Sequence, residues 1–227
     1  WAEGGHRVVF GTRDPSSEKA RELVSRAGEG ALAVAQEAAI AGAEVVVLAT
    51  PWAVTEEVVR SLGDLGGKIL VDCTNPLTAD LSGLVVGPET SGGEEVARWA
   101  AGARVVKAFN TTGSGNMEDP SYGREKLAML LCGDDAEAKA AVAGLAEELG
   151  FEAVDAGPLS RSRQLEQLVR DIDTIEPELG AARERAERIS RKGAEVSPPV
   201  ESGGLLIGPL CVCPDTGEMF AVILDVL

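Results

Sequence analysis

The sequence predicts an α/β protein built on a doubly wound, mainly parallel sheet, and three observations carry that expectation. Short β-branched runs alternate with helical segments from residue 7 to residue 157. Runs such as Val45–Ala49 (VVVLA) are apolar at successive positions, which implies burial on both faces and a sheet covered by helices on each side. The helical segments carry recognisable start and stop residues.

Taken in order, strands are expected at Arg7–Gly11, Ala31–Val34, Glu44–Ala49, Lys68–Asp72, Ala103–Ala108, Ala128–Cys132 and Glu152–Asp155. The first helix is expected to be capped by Asp14, with Pro15 at its first position. Its apolar residues Ala20, Leu23, Val24 and Ala27 recur at helical spacing before Gly28 ends it. Another starts at Asp134 or Asp135, buries Ala138, Val142, Leu145 and Leu149, and stops at Gly150. Beyond residue 160 the character changes. Arg161–Arg170 and Pro177–Lys192 read as helices, the second with only a thin apolar stripe of Leu179, Ala182, Ala186 and Ile189 among ion pairs. AEVSPPVESGG (194–204) reads as a linker, and LLIGPLCVC and EMFAVILDVL flank PDTG as a β-hairpin. The expected organisation is a nucleotide-binding domain over residues 1–160 and an extension of unknown role over 161–227, with no internal repeat.

Composition narrows the function. The 227 residues carry a net charge of −16, and residues 201–227 hold acids but no base. Such a field repels phosphate backbones and anionic lipid, so neither nucleic acid nor a membrane surface is an expected partner, and any anionic ligand must be held by local groups. Four cysteines, Cys73, Cys132, Cys211 and Cys213, are too few and too irregular for a disulfide framework, which fits a reducing, cytoplasmic compartment. Cys211 and Cys213 read as two thiols on a strand rather than a zinc site, because His6 is the only histidine and no second paired motif exists. No apolar run is long enough to span a bilayer and no signal peptide is visible. The sequence opens on Trp1 in what reads as the tail of a helix, so an upstream segment is expected.

In an open parallel sheet, ligands bind beyond the carboxyl ends of the strands. Four stretches lie there: GTRDP after the first strand, ATPW (Ala49–Trp52) after the third, DCTNPL (Asp72–Leu77) after the fourth and KAFNTTG (Lys107–Gly113) after the fifth. At the first, a fold preferring NAD would carry an acid for the ribose hydroxyl, whereas NADP needs a cation for its extra phosphate. Here stand Thr12 and Arg13: a guanidinium can grip a phosphate with two prongs, Thr12 offers a hydroxyl, and Lys19 one turn on can add charge. An exposed arginine opening a surface turn explains the same residues. Pro51 and Trp52 make a flat apolar wall suited to a nicotinamide ring, or merely shield the following helix. Asn75 of Asn75-Pro76 offers an amide to a ligand or belongs to an ordinary turn, and Asn110, Thr111 and Thr112 share that ambiguity.

Together, in this order, RVVFGTRDPSSEKA, VVLATPW, VDCTNPL, GARVVKAFNTTG and FEAVDAGPLS resemble the NADP-binding oxidoreductases related to F420-dependent NADP reductase, over about residues 1–165. The resemblance implies a Rossmann-like fold with NADP as cofactor. It implies that Thr12 and Arg13 hold the 2′-phosphate, and that Ala49, Thr50 and Pro51 together with Ala108, Phe109 and Asn110 line the pyrophosphate and nicotinamide. Trp52, Asn75, Pro76 and Lys19 complete the expected cofactor site. Two departures stand out. The strand and glycine-rich loop that open such proteins do not precede Arg7, so the sheet is expected to lack its first strand and the chain to be truncated at its N-terminus; residues 168–227 match nothing in the family. The apolar run MFAVILDVL has the composition of a central parallel strand and is a candidate for the vacant place beside Arg7–Gly11 and Glu44–Ala49.

The expected activity is hydride transfer between NADPH and a second redox partner, with coenzyme F420 as the candidate the resemblance supplies. It needs no catalytic protein acid or base and no metal, in keeping with a sequence that shows no triad or metal cluster; His6 reads as a surface or helix-end residue. The expected partner is thus a small molecule, in a homodimeric assembly. Two other readings stand: a dehydrogenase of the hydroxyacid or pyrroline-carboxylate reductase type, which would need a Lys, His or Ser acid in its later domain, and a non-catalytic nucleotide-binding or interaction module.

Overall fold

The computed structural model describes residues 1–80, 83–122, 125–169 and 220–225. Within them eight strands form one mixed sheet in the order β2 (Leu32–Ala35), β1 (Arg7–Thr12), β10 (Phe220–Asp225), β3 (Val45–Ala49), β4 (Ile69–Asp72), β5 (Arg104–Lys107), β8 (Ala128–Gly133) and β9 (Glu152–Asp155). A separate two-stranded hairpin pairs β6 (Ser121–Tyr122) with β7 (Glu125–Lys126). The doubly wound α/β fold read from the sequence is the one observed, and each of the seven expected strands forms with ends shifted by at most one residue.

Both faces of the sheet are buried, as the continuous apolar runs required. In β3, Val45 and Val47 point into a core shared with α1 (Glu18–Ala27) and α6 (Ala136–Glu148), through Leu23, Val24, Ala138, Val142 and Leu145. Val46 and Leu48 point the other way, onto Ala39 and Ile40 of α2 (Gln36–Ile40), Val58 and Val59 of α3 (Trp52–Ser61) and Val96 of α4 (Gly92–Trp99). Successive side chains of a strand alternate between faces, so one run of four apolar residues serves two cores. Full burial of each such side chain contributes about 1.5–3 kcal/mol.

Two strands run against the expected direction. β8 is antiparallel to β5, with Lys107 opposite Cys132. Among the described residues the connection between them holds the five-residue α5 (Ser114–Glu118) and the β6–β7 hairpin, not the long helix usual in a parallel crossover. β10 does take the place between β1 and β3, but antiparallel to both, with Val9 opposite Ile223 and Val47 opposite Val222. The pairing satisfies two inner strand edges at once, and the side-chain period of two is the same in either direction. β10 is the second arm of the expected hairpin, and β1 and β3 take both its edges. The first arm (205–213), the turn PDTG, the linker and the helix at 177–192 lie outside the described residues.

The cap of α1 is also corrected. Ser17 Oγ, not Asp14, accepts the helix-opening bond from the Ala20 N–H, while Asp14 Oδ1 closes a tighter turn by accepting from the Ser16 N–H (2.9 Å) and hydroxyl (2.6 Å). Gly28 ends the helix at φ +87°. For α6 the cap is Asp135, accepting from the Ala138 N–H at 2.7 Å. After β9 a short 3₁₀ turn (Leu159–Arg161) leads into a helix, α7, described over residues 162–169 and packed against the start of α4. No helix among the described residues is long and apolar enough to cross a membrane.

Candidate functional site

The carboxyl ends of β1, β3, β4 and β5 lie along one rim. At the first, Thr12 is buried with its Oγ1 accepting from the Asp14 N–H (3.3 Å), Arg13 is exposed just beyond it, and Lys19 is half-buried in the first turn of α1. After β3, Ala49 and Pro51 are exposed, while the Thr50 hydroxyl turns inward to Thr55 Oγ1 at 2.9 Å. Trp52 opens α3 and its ring packs against Trp99, with centroids 5.4 Å apart.

The loops after β4 and β5 are braced against each other. Asn75 Nδ2 donates to the Asn110 carbonyl and Asn110 Nδ2 donates to Asn75 Oδ1, both at 3.0 Å. Pro76 is buried beside Asn75. Ala108 is fully buried and its N–H reaches the Asp72 carbonyl at 3.2 Å. Phe109 holds φ +62°, the one left-handed non-glycine residue among those described. Such a conformation persists only where the surroundings over-determine it, and such positions cluster at ligand sites. The Phe109 N–H donates to Met129 Sδ (3.2 Å), and its ring meets Trp1 edge-on at 5.7 Å.

Two buried oxygens in the loop after β5 have no protein partner: Asn110 Oδ1 and Thr112 Oγ1. A buried acceptor left unpaired costs about 1–3 kcal/mol, so each is a place for a ligand's hydrogen-bond donor. Their chemistry is that of acceptors for a ligand's amide or hydroxyl, and Thr12 with Arg13 offers a hydroxyl and a cation of the kind a phosphate takes. The middle of a dinucleotide is served differently. Among the described residues no glycine-rich turn opens a helix between β1 and β3; β10 stands there and brings its amino end to the rim, with Phe220 opposite Ala49.

Beneath the rim is a charged cluster that the sequence reading missed. The fully buried Lys107 donates to Asp72 Oδ2 (2.8 Å), the Thr74 carbonyl (2.7 Å) and Glu166 Oε1 (2.8 Å). Burial alone would lower the pKa of its ammonium, but Asp72 and Glu166 outweigh that and raise it above the ordinary lysine value. Lys107 therefore keeps its proton. The Glu166 carboxylate also accepts the N–H groups of Gly92 (2.9 Å) and Gly93 (3.0 Å) that open α4. One signal was available: Asp72 and Lys107 are charged residues at the same register of adjacent strands, each preceded by apolar residues. Nothing local in the sequence links Glu166 to them.

Neither described thiol is in surroundings that favour the thiolate. Burial, with Asp72 adding to it and Lys107 opposing, lifts Cys73 well above the ordinary thiol range, and burial pushes Cys132 up to about 12. His6, entering β1, pairs through Nε2 with Glu148 Oε2 at 2.7 Å. No group of three or more His, Cys, Asp or Glu side chains among the described residues is arranged to hold a metal ion.

The sequence model of a family described as NADP oxidoreductase coenzyme F420-dependent matches residues 1–76. The F420-dependent NADP reductase of Methanocaldococcus jannaschii is 30% identical over 176 residues, covering 72% of this chain and 78% of that protein. This chain belongs to the F420-dependent NADP oxidoreductase family. The crystal structure of a protein from Arthrobacter sp. FB24, described as an F420-dependent NADP-reductase, superposes with a TM-score of 0.70 at 34% identity, over 79% of this chain and 86% of that one. Metalloreductase STEAP3 of Rattus norvegicus is 30% identical over 165 residues, 72% of this chain; the family domain here spans 32% of that relative's length.

Proposed function

We propose that this chain binds NADP(H) and transfers a hydride between NADPH and a second small-molecule redox partner in the cytoplasm, with coenzyme F420 the first candidate. The observation that carries the reading is the rim's pair of unpartnered buried atoms, Asn110 Oδ1 and Thr112 Oγ1, beside the Asn75–Asn110 brace. Arg13, just past the end of β1, and Thr12, its last residue, supply the cation and hydroxyl for a 2′-phosphate.

Bound nicotinamide supplies the hydride. The protein's share is to orient, to exclude water and to bring the second ring close. Phe109 and Asn110 fix the place of the nicotinamide, and Pro51 and Ala49 form the exposed wall next to it. Reduction of the partner takes up the hydride and one proton, which comes from solvent and not from these groups: Lys107 is saturated by three acceptors, and burial disfavours ionisation of both described thiols.

Titration with NADPH and NADH tests this. The chain is expected to bind NADPH more tightly than NADH, and Arg13→Ala to erase the difference; equal affinities for the two coenzymes overturn the assignment. Oxidation of NADPH by F420 then tests the partner. A second reading, a nucleotide-binding module without turnover, is favoured by β10 in the strand position between β1 and β3, where it brings its amino end to the rim. It predicts coenzyme binding with no oxidation by F420.

A further inference from the structure

The buried ammonium of Lys107 gathers three segments of chain. Asp72 ends β4, Thr74 precedes Asn75 in the loop after it, and Glu166 lies on α7; all three N–H donors of Lys107 are used. Lys107 also immediately precedes Ala108, Phe109 and Asn110. Holding the Thr74 carbonyl therefore sets Asn75, and holding Lys107 sets Phe109 and Asn110, so both halves of the Asn75–Asn110 brace are anchored on one nitrogen.

Stability alone does not account for this arrangement. Burying two carboxylates and an ammonium carries a large desolvation cost, and well-packed apolar side chains of similar volume often do as well or better. An apolar side chain cannot hold the Thr74 carbonyl or cap α4. The ionic cluster instead provides direction. It fixes a carbonyl, a left-handed Phe109 and a helix start to one another, and Glu166 extends that frame to α7.

We propose that Lys107 and Glu166 are positioning residues for the nicotinamide end of the cofactor site, acting through the Asn75–Asn110 brace. The proposal rests on the NADP(H) reading above. It separates the two ends of the site: the 2′-phosphate end at Thr12 and Arg13 belongs to β1, to which the cluster makes no bond among those described.

Two probes distinguish the ends: NADPH, which spans the site, and 2′,5′-ADP, which carries the 2′-phosphate without the nicotinamide. Affinities for both are measured by calorimetry on the full chain and on Lys107→Met and Glu166→Gln, with urea unfolding to confirm the folded state. Glu166→Gln is the milder change, because it keeps an acceptor oxygen and leaves Lys107 bonded to Asp72 and Thr74. Both folded variants are expected to bind NADPH about tenfold more weakly while 2′,5′-ADP stays within about twofold of the unsubstituted chain. Arg13→Ala should weaken 2′,5′-ADP. Parallel loss of both probes, no loss of either, or failure of both variants to fold makes the cluster purely structural and overturns the proposal. If the unsubstituted chain binds neither probe, the NADP(H) reading itself falls, and the positioning role with it.

Discussion

Asp72 and Lys107 end neighbouring parallel strands at the same register, and Lys107 Nζ donates to Asp72 Oδ2 across 2.8 Å with neither side chain exposed. The other oxygen of Asp72 accepts from the Thr74 N–H (2.9 Å) and hydroxyl (2.6 Å), so one carboxylate ties a strand end to its own loop and to the next strand. Asp72→Ala removes all three bonds and leaves the ammonium with Glu166 and a carbonyl. Loss of one partner from a buried ion pair costs about 3–5 kcal/mol. Asp72→Asn keeps an acceptor for Thr74 and should cost less. Urea unfolding measures both, with the midpoint falling and the denaturant slope unchanged.

Gly93 is required by what crosses it. A Cβ there would stand 2.9 Å from Ser162 Oγ, 3.0 Å from Ser162 Cβ and 3.2 Å from Lys107 Cδ. Gly93→Ala must push α7 away from α4 and stretch the bonds from Gly92 and Gly93 to Glu166. Overpacking of this kind costs about 1–3 kcal/mol. Ser162→Gly removes the nearest atoms, so the double variant should be more stable than the sum of the two single changes; simple additivity in a double-mutant cycle would show that α7 does not bear on Gly93.

Much of the fold is legible because burial on two faces leaves a plain mark. Val45 to Leu48 are apolar in succession and supply both cores, and α6 is bounded by Asp135 and Gly150 as its sequence states. Direction is not legible in this way. β10 and β8 read as buried strands, but a two-residue period has no polarity, so both antiparallel pairings had to come from the tertiary fold. DPSSE offers two caps, and the tight Asp14–Ser16 turn delays the helix until Ser17. The residues just past the strand ends come to one rim as the strand order implied, and Asn75 with Asn110 proved to be a bonded pair. The cluster below them needed Glu166, which only the tertiary fold brings to Lys107.

Acid should loosen the contact between α4 and α7. Arg163 grips Glu94 with two bonds, Nε to Oε2 at 2.8 Å and Nη2 to Oε1 at 2.7 Å. That pairing, with a further bond from Ser91 Oγ and despite partial burial, holds the Glu94 carboxyl below the usual carboxylate range. A carboxyl whose pKa is depressed by folding stabilises the protein above its unfolded value, about 4.3, and the contribution is lost as pH falls through the folded value. The pair is partly exposed and therefore worth no more than about 1 kcal/mol. Glu94→Gln is expected to lower stability by that amount at neutral pH and to match the unsubstituted chain in acid below the folded value. A difference that persists in acid would assign the effect to packing instead.

Thr112 offers a test in which stability and binding move in opposite directions. Its Oγ1 is buried with no protein partner, at the end of the segment that carries Phe109 and Asn110. Valine has nearly the same shape without the hydroxyl. In the free protein Thr112→Val removes an unpaired polar atom and should raise stability by about 1 kcal/mol, because the desolvation penalty of that atom disappears. If the hydroxyl bonds to the cofactor, the same change weakens NADPH by about 0.5–1.5 kcal/mol, the ordinary net value of one hydrogen bond. Unfolding in the absence of coenzyme and titration with NADPH measure the two separately. A stabilised variant with unaltered NADPH affinity would show that Thr112 contributes nothing to the ligand, and would leave Asn110 Oδ1 to hold the nicotinamide end alone.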